Sequence, residues 1–208
     1  MKLFTAAALA LFVATPAFAS PSAFTVNFEK TWDFSNGDVR NYYNGGAAAD
    51  GSTGGPNLGV SFVNVSGLSN DALGPYYSGA PSPLGVAYAH DSAFINVAGG
   101  VGQMLSFYYS SPTKVLGAIK AYSGLNGTGF LVGTIDLTAN DSGAYGTWTL
   151  ANLLIAGYAQ SFDLTAAAVE SVVAFDNISA RAVPEPGTVL LMLAGGAIAM
   201  RRRKARRN

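Results

Sequence analysis

The 208-residue sequence contains no cysteine and one histidine, and charged side chains make up only 12% of it. Without cysteine there is no disulfide framework, no thiolate-ligated zinc site, no iron–sulfur cluster and no thiol nucleophile. A single histidine removes most metal sites built on two imidazoles. The 12 basic and 12 acidic residues cancel, but they are not mixed. Residues 1–19 hold only Lys2, and residues 20–182 hold five basic residues (Lys30, Arg40, Lys114, Lys120, Arg181) against eleven acidic ones. Glu185 follows, and six basic residues crowd into 201–208. A middle region that is acidic, with scattered cations, lacks the basic stripe that nucleic acid requires, so no nucleic-acid partner is expected. What is abundant is glycine (25), tyrosine (10) and phenylalanine (12), a composition that suits a β protein of the cell exterior.

Both ends read as addresses. Lys2, an apolar run from Leu3 to Val13 and small residues at Ala17 and Ala19 make a secretory signal peptide, with cleavage expected after Ala19. The alternative, an uncleaved anchor, suits the run less well, because it is short for a bilayer. At the other end Val183-Pro184-Glu185-Pro186 precedes an apolar run, Val189–Met200, and then Arg201, Arg202, Arg203 and further basic residues. As a helix, residues 187–200 would be about 21 Å long, short of the roughly 30 Å hydrocarbon core, so a short or strained transmembrane helix is expected rather than a stable span. The basic cluster would stay on the cytoplasmic side and the acidic body outside.

These three parts in this order, behind a secretory signal, resemble the PEP-CTERM sorting signal of Gram-negative bacteria. The resemblance covers about 25 residues of the sequence, those from 183 to 208. It implies that an inner-membrane cysteine protease, exosortase, is the processing partner and cuts near Val183–Pro186. The helix and arginine tail would then be lost, with Arg201–Arg203 acting as the stop. It also implies transient anchoring in the inner membrane, delivery to the cell surface or outside, and an association with exopolysaccharide and biofilm matrix. The two prolines enforce an extended backbone, a form suited to a protease cleft. An ordinary C-terminal anchor is the alternative, and the short run argues against it.

Residues 20–182 read as one all-β domain. Runs rich in aromatic and β-branched residues alternate with Gly, Asn, Asp, Ser and Pro, which predicts strands at 23–34, 58–65, 85–89, 94–97, 104–109, 115–122, 130–137, 147–150, 160–164 and 172–179. Alternation places Leu105, Phe107 and Tyr109 on one face, Leu131, Ile135 and Leu137 on another, and Phe162 with Leu164. Asn126-Gly127 signals a hairpin turn, Ala166–Ala168 a single helical turn, and residues 41–57 and 68–83 two long surface loops. Phe28-Glu29, Trp32-Asp33-Phe34, Gly59–Phe62, Gly129–Thr134 and Phe175–Ile178 resemble stretches of the β-sandwich bodies found ahead of this sorting signal. That resemblance implies a jelly-roll or galactose-binding-like sandwich.

Several residues are candidates for chemistry. His90-Asp91-Ser92 holds the three residue types of a catalytic triad, but neighbours in a strand point to opposite faces and no nucleophile elbow is present. Glu29 and Asp33, taken as one strand face, lie roughly 13 Å apart, too far for a glycosidase pair unless a partner such as Asp163 approaches. A non-catalytic protein is therefore expected, with a carbohydrate-binding module as the alternative and a glycoside hydrolase after it. Glu29, Asp33 and Asp176 are oxygen donors near the two ends of the domain and are the candidates for a structural calcium; no other cofactor is expected. Tyr42, Tyr43, Tyr76 and Tyr77, in the predicted loops, are the candidates to stack on sugar rings, whereas Trp32 and Trp148 are expected in the core. The sequons at Asn64, Asn126, Asn140 and Asn177 carry no glycosylation meaning in a bacterial protein.

Overall fold

The computed structural model describes residues 23–169 and 172–181. The signal residues Ala17 and Ala19, Glu170, the motif Val183–Pro186, the apolar run and Arg201–Arg203 lie outside the described residues. Among the described residues seven antiparallel strands follow in order: β1 (Phe24–Val26), β2 (Val60–Leu68), β3 (Val86–Ser110), β4 (Val115–Tyr122), β5 (Leu131–Leu137), β6 (Thr149–Asp163) and β7 (Ala174–Ala180). Hydrogen bonds connect them in the order β1-β7-β3-β6-β4-β5, with β2 added to β3.

Two strands are far longer than the sequence runs predict. The predicted strands at 85–89, 94–97 and 104–109 are one strand, β3, and those at 147–150 and 160–164 are the two ends of β6. Each long strand bends and serves two layers of the sandwich. The first part of β3 pairs with β2 and with the start of β7, and its second part pairs with the first half of β6 and again with β7. The second half of β6 pairs with β4, which carries β5 at its far edge. Bulges make the bends: the registers shift between Val63 and Val65 of β2, and between Asn96 and Val101 and again between Gly102 and Met104 of β3. Positive φ marks the corners at Asn64 (52°), Asp91 (52°) and Gln103 (64°), and the Asn64 amide donates to the Ser92 carbonyl across one of them.

The predicted strand at 23–34 is reduced to Phe24–Val26. Phe28 adopts φ 55°, its carbonyl accepts from the Lys30 N–H, and the same carbonyl accepts the Trp32 indole N–H at 2.8 Å. Trp32 is thereby folded inward and buried, as expected. Trp148 is not core: it is half-buried, with its indole N–H donating to the Ser78 carbonyl. Alternation holds where strands are central, so that Leu105, Phe107, Tyr109, Phe162 and Leu164 are all buried. On the edge strand β5 it fails: Leu137 is buried but Leu131 is 55% exposed, past a register shift next to Tyr122. Asn126 and Gly127, both at positive φ, turn β4 into β5 as predicted, and residues 165–168 form a single turn, with the Ala168 N–H on the Leu164 carbonyl.

Candidate functional site

The site is built on the start of β3 and the segment that runs beside β2. Residues 37–39 lie along β2 through hydrogen bonds from Gly67 N–H to the Gly37 carbonyl and from Val39 N–H to the Val65 carbonyl. Gly37 is required here, since a Cβ would stand 2.6 Å from the Gly67 carbonyl oxygen. Asp38 is thus bridged to Ser66, and Ser66 pairs with Tyr88 of β3. His90 lies two residues beyond Tyr88 in β3, so both side chains face the same way.

Asp38 is the hub of this face. Its Oδ1 accepts the Ser66 hydroxyl at 2.6 Å and lies 3.0 Å from His90 Nε2, while His90 Nδ1 lies 3.3 Å from Asp91 Oδ2. Burial works against charge on both Asp38 and His90, but their hydrogen bonds win. Asp38 is held below the usual carboxylate range by Ser66 and His90, and His90 is raised above its ordinary value by Asp38 and Asp91. Both ring nitrogens of His90 face carboxylates and Ser66 donates to Asp38, so the connectivity is serine to aspartate to histidine. A nucleophilic triad needs the histidine in the middle.

Asp38, Arg40, Asn36, Phe34, Tyr88 and His90 wall a polar groove of about 490 Å³. Tyr88 also forms one side of a smaller apolar recess of about 150 Å³, shared with Leu68, Tyr76 and Tyr145. Between the two, the rings of Phe34 and Tyr76 stack at 5.6 Å and 16°. The loops that carry these rings are pinned locally. Asn70 Oδ1 accepts the N–H groups of Tyr76 and Tyr77, and Asp141 accepts four, from Gly143, Tyr145, Gly146 and Thr147. These four hydrogen bonds outweigh what burial does to Asp141 and lower its pKa.

The structure splits each predicted tyrosine pair. Tyr43 and Tyr77 are buried, and this corrects their reading as exposed stacking residues: Tyr43 packs edge-on to Phe28 and Phe62, and Tyr77 edge-on to Trp148. Tyr42 and Tyr76 are half-buried, and only Tyr76 reaches the site, lining the apolar recess and stacking on Phe34 of the groove wall; Tyr42 sits edge-on to Trp32. The three calcium candidates do not form one cluster. Glu29 Oε1 accepts the Leu84 N–H, and Asp176 accepts the backbone N–H and the hydroxyl of Ser82, so these two hold one turn. Asp33 instead caps its own loop through Ser35 and Asn36, and Asp163 accepts the Thr165 N–H. Among the described residues no group of three His, Asp or Glu side chains is placed to hold a metal ion.

Sequence reasoning singled out His90 and Tyr76 but missed Phe34, Asp38, Arg40 and Tyr88. The two-residue spacing of Tyr88 and His90 is a signal that was legible, as one strand face carrying an aromatic and an imidazole. The sequon asparagines have backbone duties. Asn64, Asn126 and Asn177 adopt φ of 52°, 52° and 49°, and the Asn140 side chain bonds Ser111, Tyr109 and Thr149.

Residues 182–207 match the family model of the PEP-CTERM protein-sorting motif. No curated protein matches the sequence. Among solved structures the chain is similar to the K1 cleaved adhesin domain of Lys-gingipain from Porphyromonas gingivalis W83, at 12% identity over 78% of this chain and 99% of that one, with a TM-score of 0.46. It is also similar to the K2 cleaved adhesin domain of Lys-gingipain, at 13% identity over 77% and 99%, with a TM-score of 0.43. For CBM29_1, a family 29 carbohydrate binding module from Piromyces equi, the identity is 11% over 59% and 80%, and the TM-score 0.37. The chain is thus an all-β body that carries a PEP-CTERM protein-sorting motif at residues 182–207.

Proposed function

We propose that this protein is a non-catalytic surface or matrix component that is exported, cut by an exosortase near Val183–Pro186, and holds a neutral polysaccharide in the groove around Tyr88. The observation that carries the ligand reading is the juxtaposition of aromatic faces with polar groups: Phe34, Tyr76 and Tyr88 beside Arg40 and the hydrogen-bonded pair Asp38 and His90. A pyranose presents apolar C–H faces and equatorial hydroxyls, and this combination offers a partner for each. A body carrying five basic against eleven acidic residues repels anionic polymers, which favours a neutral glycan.

Native electrophoresis in gels cast with a neutral β-glucan tests the reading against gels cast with a polyuronate. The wild type is expected to be retarded by the neutral polymer only, and Tyr88→Ala or Tyr76→Ala to weaken retardation by about tenfold, the loss of one stacking contact of roughly 1.4 kcal/mol. Equal migration of the wild type in all gels would overturn the glycan reading. Release of reducing ends, abolished by Asp38→Asn, would replace it with a hydrolase.

Sorting is tested separately by mass spectrometry of the surface form. The mature C-terminus is expected within or next to Val183–Pro186. Recovery of peptides spanning Arg201–Arg207 from that form would sink exosortase cleavage.

A further inference from the structure

Strand β7 ends at Ala180, and the apolar run read as a membrane tether begins at Val189. Even fully extended, the connector from Arg181 to Val189 reaches less than about 30 Å. While the tether is in the bilayer, the C-terminal end of β7 is therefore the point at which the body is joined to it, within about 30 Å of the membrane. The register identifies what that end presents. Ala180 pairs with Leu105, and the next rung along β3 is Met104, which pairs with Leu154 of β6.

Leu154 is 72% exposed, and Tyr158, four residues further along β6, is also exposed. Gly133 of β5 lies on the Leu154 backbone, where an added Cβ would come within 2.5 Å of the Leu154 carbonyl oxygen. That contact brings the start of β5 to the same rim, with Phe130 81% exposed beside Leu131. The stretches that supply the rim, residues 92–113, 121–135 and 142–162, contain no charged side chain. An uncharged patch of large apolar groups on an acidic body marks an interaction surface. The groove is at the other end of β7: Tyr88 pairs with Ala174, about 20 Å along the strand from Ala180.

We propose that this rim is a membrane-seating surface: while the chain is tethered, Phe130, Leu131, Leu154 and Tyr158 rest in the headgroup layer of the bilayer, and the groove is held pointing away from it. The proposal rests on the reading of Val189–Met200 as a tether. Lipid is the occupant because the short connector keeps this end within reach of the bilayer, and aromatic side chains settle at headgroup depth. No carboxylate in the three stretches opposes anionic lipid, and exposed Arg181 attracts it.

The test uses the full chain reconstituted into phosphatidylethanolamine–phosphatidylglycerol vesicles. The natural sequence has no cysteine, so single labels are placed by Leu154→Cys at the rim, Ser35→Cys at the groove and Ala194→Cys in the tether, and each fluorophore is challenged with a headgroup-region spin-labelled lipid. The rim label is expected to be quenched about twofold and the groove label not at all, with the tether label quenched as a positive control. Adding Leu131→Asp is expected to return the rim label to the level of the groove label, with an unchanged circular dichroism spectrum. If the tether label is quenched but the rim label behaves like the groove label, the seating surface is refuted and the tether stands. If the tether label is not quenched, the tether reading and the proposal fail together. Pyrene excimers at position 154 that vanish on dilution of the protein in the vesicles would assign the rim to a second copy and overturn the lipid assignment.

Discussion

Replacing Phe175 by alanine is expected to lower stability by about 3 to 5 kcal/mol, the usual cost of deleting a buried phenyl ring from a core that cannot collapse around it. Phe175 has no exposed surface, and its backbone pairs with both Ala87 and Tyr109, the two passes of β3 that flank the start of β7. Its ring meets Phe107 at 5.9 Å and 62°. Removal therefore opens a void where two passes of the longest strand converge, and relaxation on one side pulls against the other. For a domain of this size the midpoint of thermal unfolding should fall by roughly 10 °C. Urea unfolding followed through Trp32 and Trp148 fluorescence measures the loss. Leu154→Ala is the comparison: its side chain is equally apolar but exposed, and about 0.5 kcal/mol or less is expected. Equal losses for the two variants would mean that Phe175 is not at the centre of the core.

Asp176 should make stability depend on pH in the sense opposite to the other perturbed aspartates. Burial, only partly offset by hydrogen bonds from Ser82 and Asn177 and reinforced by the charge on Glu29, pushes its carboxyl up from 3.8 to about 6. The folded state then binds a proton that the unfolded chain releases between about pH 6 and 4. Stability from this group accordingly rises as pH falls through that window. Asp38 and Asp141 have lowered values, so their contributions are present above the ordinary carboxylate pKa and are lost as pH falls through the lowered ones. Asp176→Asn isolates the one from the others. Relative to this variant the wild type should gain roughly 1 to 2 kcal/mol between pH 7.5 and 5. A constant difference across that range would show that Asp176 titrates normally. Asp176→Ala should be worse at every pH, because the Ser82 and Asn177 N–H groups then lose their acceptor at a cost of about 1 to 3 kcal/mol each.

The strands were legible where they are central and two-faced. β4 lies where its run predicts it, and Leu105, Phe107 and Tyr109 point inward as their spacing requires. The number of strands was not legible, because the joins within β3 and β6 contain glycines and polar residues that read as turns. Asp91 and Gln103 take positive φ inside β3 itself, and a bulge there bends the strand without ending it. The groove was half legible. His90 stands out as the single histidine, but Asp38 is 52 residues away in sequence and meets it only because residues 37–39 lie along β2.

The sequence by itself determined the sorting motif at residues 182–207, the acidic character of the middle region and its all-β class, because each is a property of contiguous residues: run length, charge clustering and local alternation. The tertiary structure decided which tyrosine of each pair is buried, which carboxylate faces His90, and that Asp176 sits in the interior. It also brought Leu154 of β6 and the start of β5 to the end of β7 from which the sorting motif leaves. Those outcomes depend on which face of a strand meets the second layer, and a single bulge inverts that choice without leaving a mark in the local pattern.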